Sequence, residues 1–160
     1  MAEKFEIKSR NTEVMNNERH RILQLFREKL PNAEVAEVGS TSVDGAIGKQ
    51  DIDFVVLVLG EEFESVRLIL DSLFERDSNQ LSSSCFQAYK ASKLWDVTIQ
   101  LTIKGGDYDT FHAFADILRD QPTVLAAYNQ LKREWQGRPM NLYREAKAAF
   151  IERILKSQEK

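Results

Sequence analysis

Two aspartates, Asp51 and Asp53, open an apolar run that reads IDFVVLVL from Ile52 to Leu59. In an extended strand side chains alternate, so residues two apart point to the same face. Two carboxylates on one face repel each other unless a cation sits between them. A divalent ion such as Mg²⁺ supplies that charge, since it takes oxygen ligands from one or two carboxylates and from substrate phosphates. An acidic strand entrance left in solvent explains the same pair without any ligand.

One loop upstream lies Gly39, followed by Ser40, Thr41 and Ser42. A glycine there lets backbone approach a ligand closely, and three hydroxyls beside backbone N–H groups suit the oxygens of a triphosphate. Ser and Thr also cap helix N-termini, and capping and phosphate binding draw on the same orphan donors. Lys49 stands just before the acidic pair, within reach of a phosphate.

These residues need a scaffold, and apolar periodicity outlines one. Val14, Ile22, Leu23, Leu25, Phe26 and Leu30 recur at near-helical spacing, predicting a helix from Thr12 to Leu30 that Pro31 ends. A short strand from Glu34 to Val38 precedes the glycine turn, and a loop with Gly45 and Gly48 follows it. The continuous run from Ile52 to Leu59 predicts a central strand covered on both faces. Glu61 to Arg76 reads as an amphipathic helix with Phe63, Val66, Ile69, Leu70, Leu73 and Phe74 on its buried stripe.

After a polar loop from Asp77 to Ser84, alternation predicts a hairpin of Cys85–Ala91 and Leu94–Ile103, which Gly105 and Gly106 close. Three helices follow: Tyr108 to Arg119, Pro122 to near Gly137, and Asn141 to Lys156. Pro122 suits a first helical turn, where its missing N–H is not needed. The order predicts an α+β chain, a small mixed sheet flanked by helices with a C-terminal helical bundle. One domain is expected, its core about residues 12–104 and its C-terminal helices about 107–157. Helices do not alternate regularly with strands, so a doubly wound parallel sheet is not expected.

Composition narrows the partners. A net charge of −3 over 160 residues disfavours sequence-blind binding to a nucleic-acid backbone. It still allows a small phosphate-bearing ligand. Cys85 is the one cysteine, so no intramolecular disulfide forms and a reducing setting is expected. The opening MAEKFEIKSR has no apolar stretch of a secretory signal, and no run approaches the roughly 18 apolar residues of a membrane span. A cytoplasmic location is the expectation. His20 and His112 have no His, Cys or acidic partners at ligand spacing and are not read as metal ligands.

Gly-Ser, a loop with further glycines, then Asp-x-Asp opening an apolar strand resembles the signature of the DNA polymerase β-like nucleotidyltransferase superfamily. More narrowly, GSTSVDG followed by the acidic strand resembles the GrpB family of that fold. LRDQPTVLAAYNQLK, Leu118 to Lys132, and YREAKAAFIERIL, Tyr143 to Leu155, look like that family's C-terminal helices, so the similarity runs from the first helix onward. Two departures stand out: family members commonly have Pro where this chain has Asp44, and an apolar residue where it has Asp51. The family's later strand often carries His where this chain reads DVTIQL, Asp96 to Leu101.

The resemblance implies transfer of a nucleoside monophosphate from an NTP to an unknown acceptor, a protein or small molecule, with Mg (or Mn) as cofactor. It implies Asp51, Asp53 and Asp96 as metal-holding and catalytic acids, Asp96 completing the cage or acting as base. Asp96 shares a strand face with Thr98 and Gln100, opposite Val97, Ile99 and Leu101. Gly39, Ser40, Thr41 and Ser42 would grip phosphates, with Lys49 and Lys147 beside them. Tyr143 offers a ring to a base, although an aromatic at that spacing also fits a core. Arg119 and Lys132 read as solvated helix charges. Two other functions fit the same motif: a non-catalytic nucleotide-binding module and a regulatory partner of another protein.

Overall fold

The computed structural model describes residues 2–9 and 12–159. Five strands form one sheet in the order β1-β2-β5-β4-β3. β1 (Glu34–Val38) runs antiparallel to β2 (Ile52–Val58), and β2 lies parallel to β5 (Val97–Ile103). β4 (Phe86–Lys90) pairs antiparallel with β5, and the two-residue β3 (Glu75–Arg76) closes the far edge. The hairpin expected between the two alternating segments is β4–β5.

α1 (Thr12–Lys29) and α2 (Phe63–Leu73) cover one face of this sheet. Met15, Ile22 and Phe26 from α1 and Phe63, Val66 and Leu70 from α2 meet Ile52, Phe54, Val56, Val97, Ile99 and Leu101. The opposite face of β2 presents Val55 and Leu57 to Ala115 of α3 (Phe111–Asp120). Apolar side chains on both faces therefore explain the unbroken run in β2. Behind α3, a second cluster joins Phe114 and Leu118 to Tyr128 of α4 (Pro122–Trp135) and to Phe150 and Ile151 of α5 (Met140–Ser157). The same cluster takes in Val43 and Ala46, so the loop after the glycine turn is packed against the C-terminal helices.

Two differences from the sequence expectation have physical causes. The helix predicted to Arg76 ends at Leu73, where Phe74 turns extended to set its ring 6.5 Å from Phe26. Arg76 then bonds the Asp71 carboxylate at 2.9 and 2.8 Å, and residues 75 and 76 become the edge strand. The N-terminal segment is also part of the structure. Phe5 exchanges backbone hydrogen bonds with Arg138 and Gly137 at 2.9 and 2.8 Å, and the Lys8 N–H donates to Gly48 at 2.9 Å. Among the described residues no helix is long and apolar enough to cross a membrane.

Candidate functional site

The β2–β5 ladder decides where the acids meet. Ile52 pairs with Val97 and Asp53 with Thr98, so Asp51 and Asp96 occupy the step just before, on adjacent parallel strands. The Ile52 N–H donates to the Asp96 carbonyl at 2.9 Å and fixes that first rung. Asp53 and Asp96 both feel the charge of Asp51, and Asp53 also feels that of Asp96.

Asp53 lies deepest. Desolvation pushes its carboxyl up to about 6; Lys147 opposes this, Asp51 and Asp96 add to it, and Lys49 opposes it again. Asp96 is exposed, yet desolvation and then Asp51 raise its carboxyl above the ordinary value, against Lys49 and Lys90. Lys49 is not free for a phosphate: its Nζ lies 3.2 Å from Oδ2 of Asp51, both groups partly exposed.

Above Asp53 passes the glycine turn. Gly39 has φ 74° and ψ 179°, and a Cβ there would collide with Oδ2 of Asp53 and stand 3.2 Å from its Cγ. Only glycine combines this backbone with so close an approach. Residues 40–42 form one 3₁₀ turn. The Thr41 hydroxyl donates to the Asp51 carbonyl at 2.8 Å, and the Ser42 hydroxyl donates to the Gly39 carbonyl at 2.7 Å. These two hydroxyls shape the turn, where the sequence had them as phosphate donors. Ser40 differs, because it lines the cleft beside Asp53.

That cleft has a volume of about 120 Å³ and runs between sheet and C-terminal helices. Gly39, Ser40, Asp53, Gln100, Tyr128 and Lys147 are among its walls. A larger hollow, about 540 Å³, lies across the turn and is lined by Arg19, Glu37, Thr41, Ser42 and Arg119. Two of its charges are paired, Arg19 with Glu37 across the hollow and Arg119 with Asp116 on its own helix.

Lys132 is the residue that helical spacing conceals. It is 2% exposed, donates from Nζ to the Ile47 carbonyl at 2.5 Å, and stands 4.2 Å from the Tyr128 ring centroid. A Cβ on Gly48 would lie 2.9 Å from the Ser40 Oγ and 3.1 Å from the Lys132 Nζ, which places that amine beside the turn. Burial and then repulsion from Lys147 bring it down to about 7, while Asp53 and Asp51 hold it up. Its neighbour Asn129 accepts from the Ile47 N–H at 3.0 Å and donates to the Gly45 carbonyl at 2.9 Å. Asn129 and Lys132 interrupt an otherwise apolar stripe of Leu125, Tyr128 and Trp135, which was the signal available in the sequence.

Tyr143 is not an open platform for a base. Its ring stacks on Phe5 with centroids 3.8 Å apart and planes 12° from parallel, and its hydroxyl meets that of Tyr128. It is buried in a small cluster with Phe5 and Met140, one helical turn before Lys147. The sequence reading of Tyr143 as a core aromatic is the one its surroundings match.

Among the described residues no three His, Cys, Asp or Glu side chains are gathered closely enough to hold a metal ion as they stand. The available donors are carboxylate oxygens, a set that suits Mg²⁺ or Mn²⁺ and not a thiophilic metal.

With this geometry, a comparison of sequences becomes decisive: the sequence model of the family described as GrpB protein matches residues 6–157. The chain belongs to the GrpB family. It is 35% identical over 127 residues to a UPF0157 protein of Vibrio cholerae, covering 79% of this chain and 68% of that one. The crystal structure of the conserved protein GrpB from Enterococcus faecalis is similar with a TM-score of 0.66 at 19% identity, over 94% and 95% of the two chains.

Cid1, an RNA terminal uridylyl transferase, is similar with a TM-score of 0.53 at 14% identity. That match takes in 78% of this GrpB-family chain and 40% of Cid1, so the chain spans well under half of that enzyme. A Cid1 poly(U) polymerase structure bound to MgATP gives a TM-score of 0.52 at 15% identity, over 78% and 42% of the chains. The shared architecture is the nucleotidyltransferase fold, as the glycine turn and acidic strand led one to expect.

Proposed function

We propose that this protein is a Mg-dependent nucleotidyltransferase, moving a nucleoside monophosphate from an NTP to a hydroxyl of an unidentified protein or small molecule. One observation carries the reading: Asp51 and Asp96 immediately precede adjacent parallel strands, with Asp53 two residues further in, beneath a turn whose positive φ and close approach favour glycine. Cid1 structures with MgATP support a nucleotide as the ligand class for this fold. The net charge of −3 favours an acceptor other than nucleic acid, unlike the RNA on which Cid1 acts.

Asp51, Asp53 and Asp96 are the residues that would hold Mg²⁺ (or Mn²⁺). When bound, that ion neutralises the triphosphate and lowers the pKa of the attacking hydroxyl. The backbone of Gly39 and the Ser40 hydroxyl bind phosphate oxygens, and Lys147 and Lys132 bring positive charge from α5 and α4. Thr41 and Ser42 contribute by holding the turn in shape, and Tyr143 by seating the Lys147 turn of its helix. Asp96 accepts the proton of the acceptor hydroxyl, its basicity raised by partial desolvation of the carboxyl and by Asp51. The new bond joins the acceptor oxygen to the α-phosphorus, and the bond to pyrophosphate breaks.

A second reading has an observation of its own. Lys49 already neutralises Asp51, an arrangement that also serves a binding module without catalysis. Incubation with α-labelled NTPs and Mg²⁺, followed by separation of labelled products, tests the first reading. Transfer that disappears in Asp53→Ala supports it. Mg-dependent nucleotide binding with no labelled product supports the second.

A further inference from the structure

The residue before Asp51 and the residue before Asp96 are bonded to each other. The Trp95 indole N–H donates to the Gln50 carbonyl at 2.6 Å. Gln50 is buried and has φ 70°, a positive value carried among the described residues by no other non-glycine residue. Such a conformation is uncommon for a residue other than glycine, persists where its surroundings impose it, and clusters at functional sites. Two contacts hold it here: the indole on its carbonyl, and its own Nε2 on the Gly48 carbonyl at 3.3 Å.

Trp95 is itself anchored. Ser92 Oγ accepts from the backbone N–H groups of Leu94 and Trp95 at 3.0 and 3.2 Å. The same hydroxyl donates to Glu18 of α1, which is buried and paired with Arg21 at 3.0 Å. Arg21 in turn donates to the Ala91 carbonyl at 2.9 Å. The β4–β5 turn is thus fastened to α1, and through one indole to the loop that delivers Asp51. Its nearest ladder rung is the Ile52 N–H on the Asp96 carbonyl.

We propose that Trp95 is a positioning residue: its indole, braced by Ser92 and Glu18, clamps the strained Gln50 and sets the spacing between Asp51 and Asp96. The consequence for a divalent cation rests on the nucleotidyltransferase reading; the clamp itself does not. In a parallel ladder both acids are free to splay at the open end. Without the indole the strain at Gln50 relaxes and the first rung frays, while the rest of the sheet is untouched.

The test compares the full chain with Trp95→Phe, which keeps a ring and removes the donor, by two readouts. Amide hydrogen exchange should show the Ile52 N–H at least ten-fold less protected. The Lys104 N–H, bonded to the Val58 carbonyl at 2.9 Å at the other end of the same ladder, should be unchanged. Mn²⁺ affinity measured by electron paramagnetic resonance, with a non-hydrolysable ATP analogue present, should fall about ten-fold. Should Trp95→Phe fail to fold, Ser92→Ala leaves the indole in place, frees the turn and should shift both readouts in the same direction. Unchanged Ile52 exchange in a folded variant overturns the clamp. Unchanged Mn²⁺ affinity alongside a frayed rung overturns its role at the acids. Absence of Mn²⁺ binding by the unaltered protein sinks the nucleotidyltransferase reading, and the exchange data still decide the clamp.

Discussion

The backbone of Gly39 rests on the carboxylate of Asp53, so close that a single methyl group at position 39 would strike Oδ2. The turn and the deepest acid are therefore one unit, joined by contact and by the β1–β2 ladder, where Val38 pairs with Asp53.

Gly39→Ala should cost at least about 2 kcal/mol, from a positive φ of 74° and from overpacking. Removing the obstructing carboxylate relieves the second cost. Thermal unfolding should show Gly39→Ala less damaging in an Asp53→Ala background than in the unaltered chain. Strictly additive losses would show that the two residues do not press on each other.

The Asp53 carboxyl titrates at about 6 in the folded chain, against an ordinary value of 3.8. Between these values the folded state holds more protons than the unfolded state, so its contribution to stability is full below pH 4 and is lost as pH rises through 6. Asp53→Asn removes that loss. Urea unfolding should find the variant more stable at pH 8 by up to about 3 kcal/mol, at about 1.4 kcal/mol per pH unit. The gain should vanish near pH 4. A site kept at a cost to stability is what function at this carboxylate predicts.

Lys132 gives the opposite slope. Its amine falls to about 7 in the folded chain from an ordinary 10.5. The unfolded chain then carries more protons across that window, and the contribution to stability rises with pH from 7 towards 10. Lys132→Met lacks the titrating group. Its stability relative to the unaltered chain should decline by about 2–3 kcal/mol between pH 7 and pH 9. A constant difference would mean that the amine is as well solvated as its helical position suggests.

The acids were legible because alternation in a strand is a strict rule. Asp51 and Asp53 two apart, and Asp96, Thr98 and Gln100 opposite Val97, Ile99 and Leu101, required only a period of two. β1 was found at both ends from the apolar content of Val35, Ala36 and Val38 ahead of the glycine turn. What escaped depends on distant partners. Lys132 and a solvated lysine look alike in a helix until α4 is laid against the Gly45–Gly48 loop. Thr41 and Ser42 have the chemistry to bind phosphate, and the fold uses their hydroxyls on two carbonyls instead. Tyr143 lost its free ring face to Phe5, 138 positions away in sequence. The Trp95–Gln50 bond joins two loops that share no pattern.

Phe5→Ala should cost about 3 kcal/mol, the ordinary loss for a buried ring, by emptying the space under Tyr143. Because Tyr143 lies one turn from Lys147, nucleotide affinity should fall as well. Calorimetry on the folded variant checks this. A loss of stability with unaltered affinity would confine Phe5 to holding the N-terminal segment.

Isothermal titration of the purified protein with a non-hydrolysable ATP analogue, with and without Mg²⁺, bears on everything above. Heat of binding should appear with Mg²⁺, weaken sharply without it, and vanish in an Asp53→Ala variant that still unfolds cooperatively. Binding that ignores both Mg²⁺ and Asp53, or no binding at all, would contradict a nucleotide site built from the acids of β2 and β5.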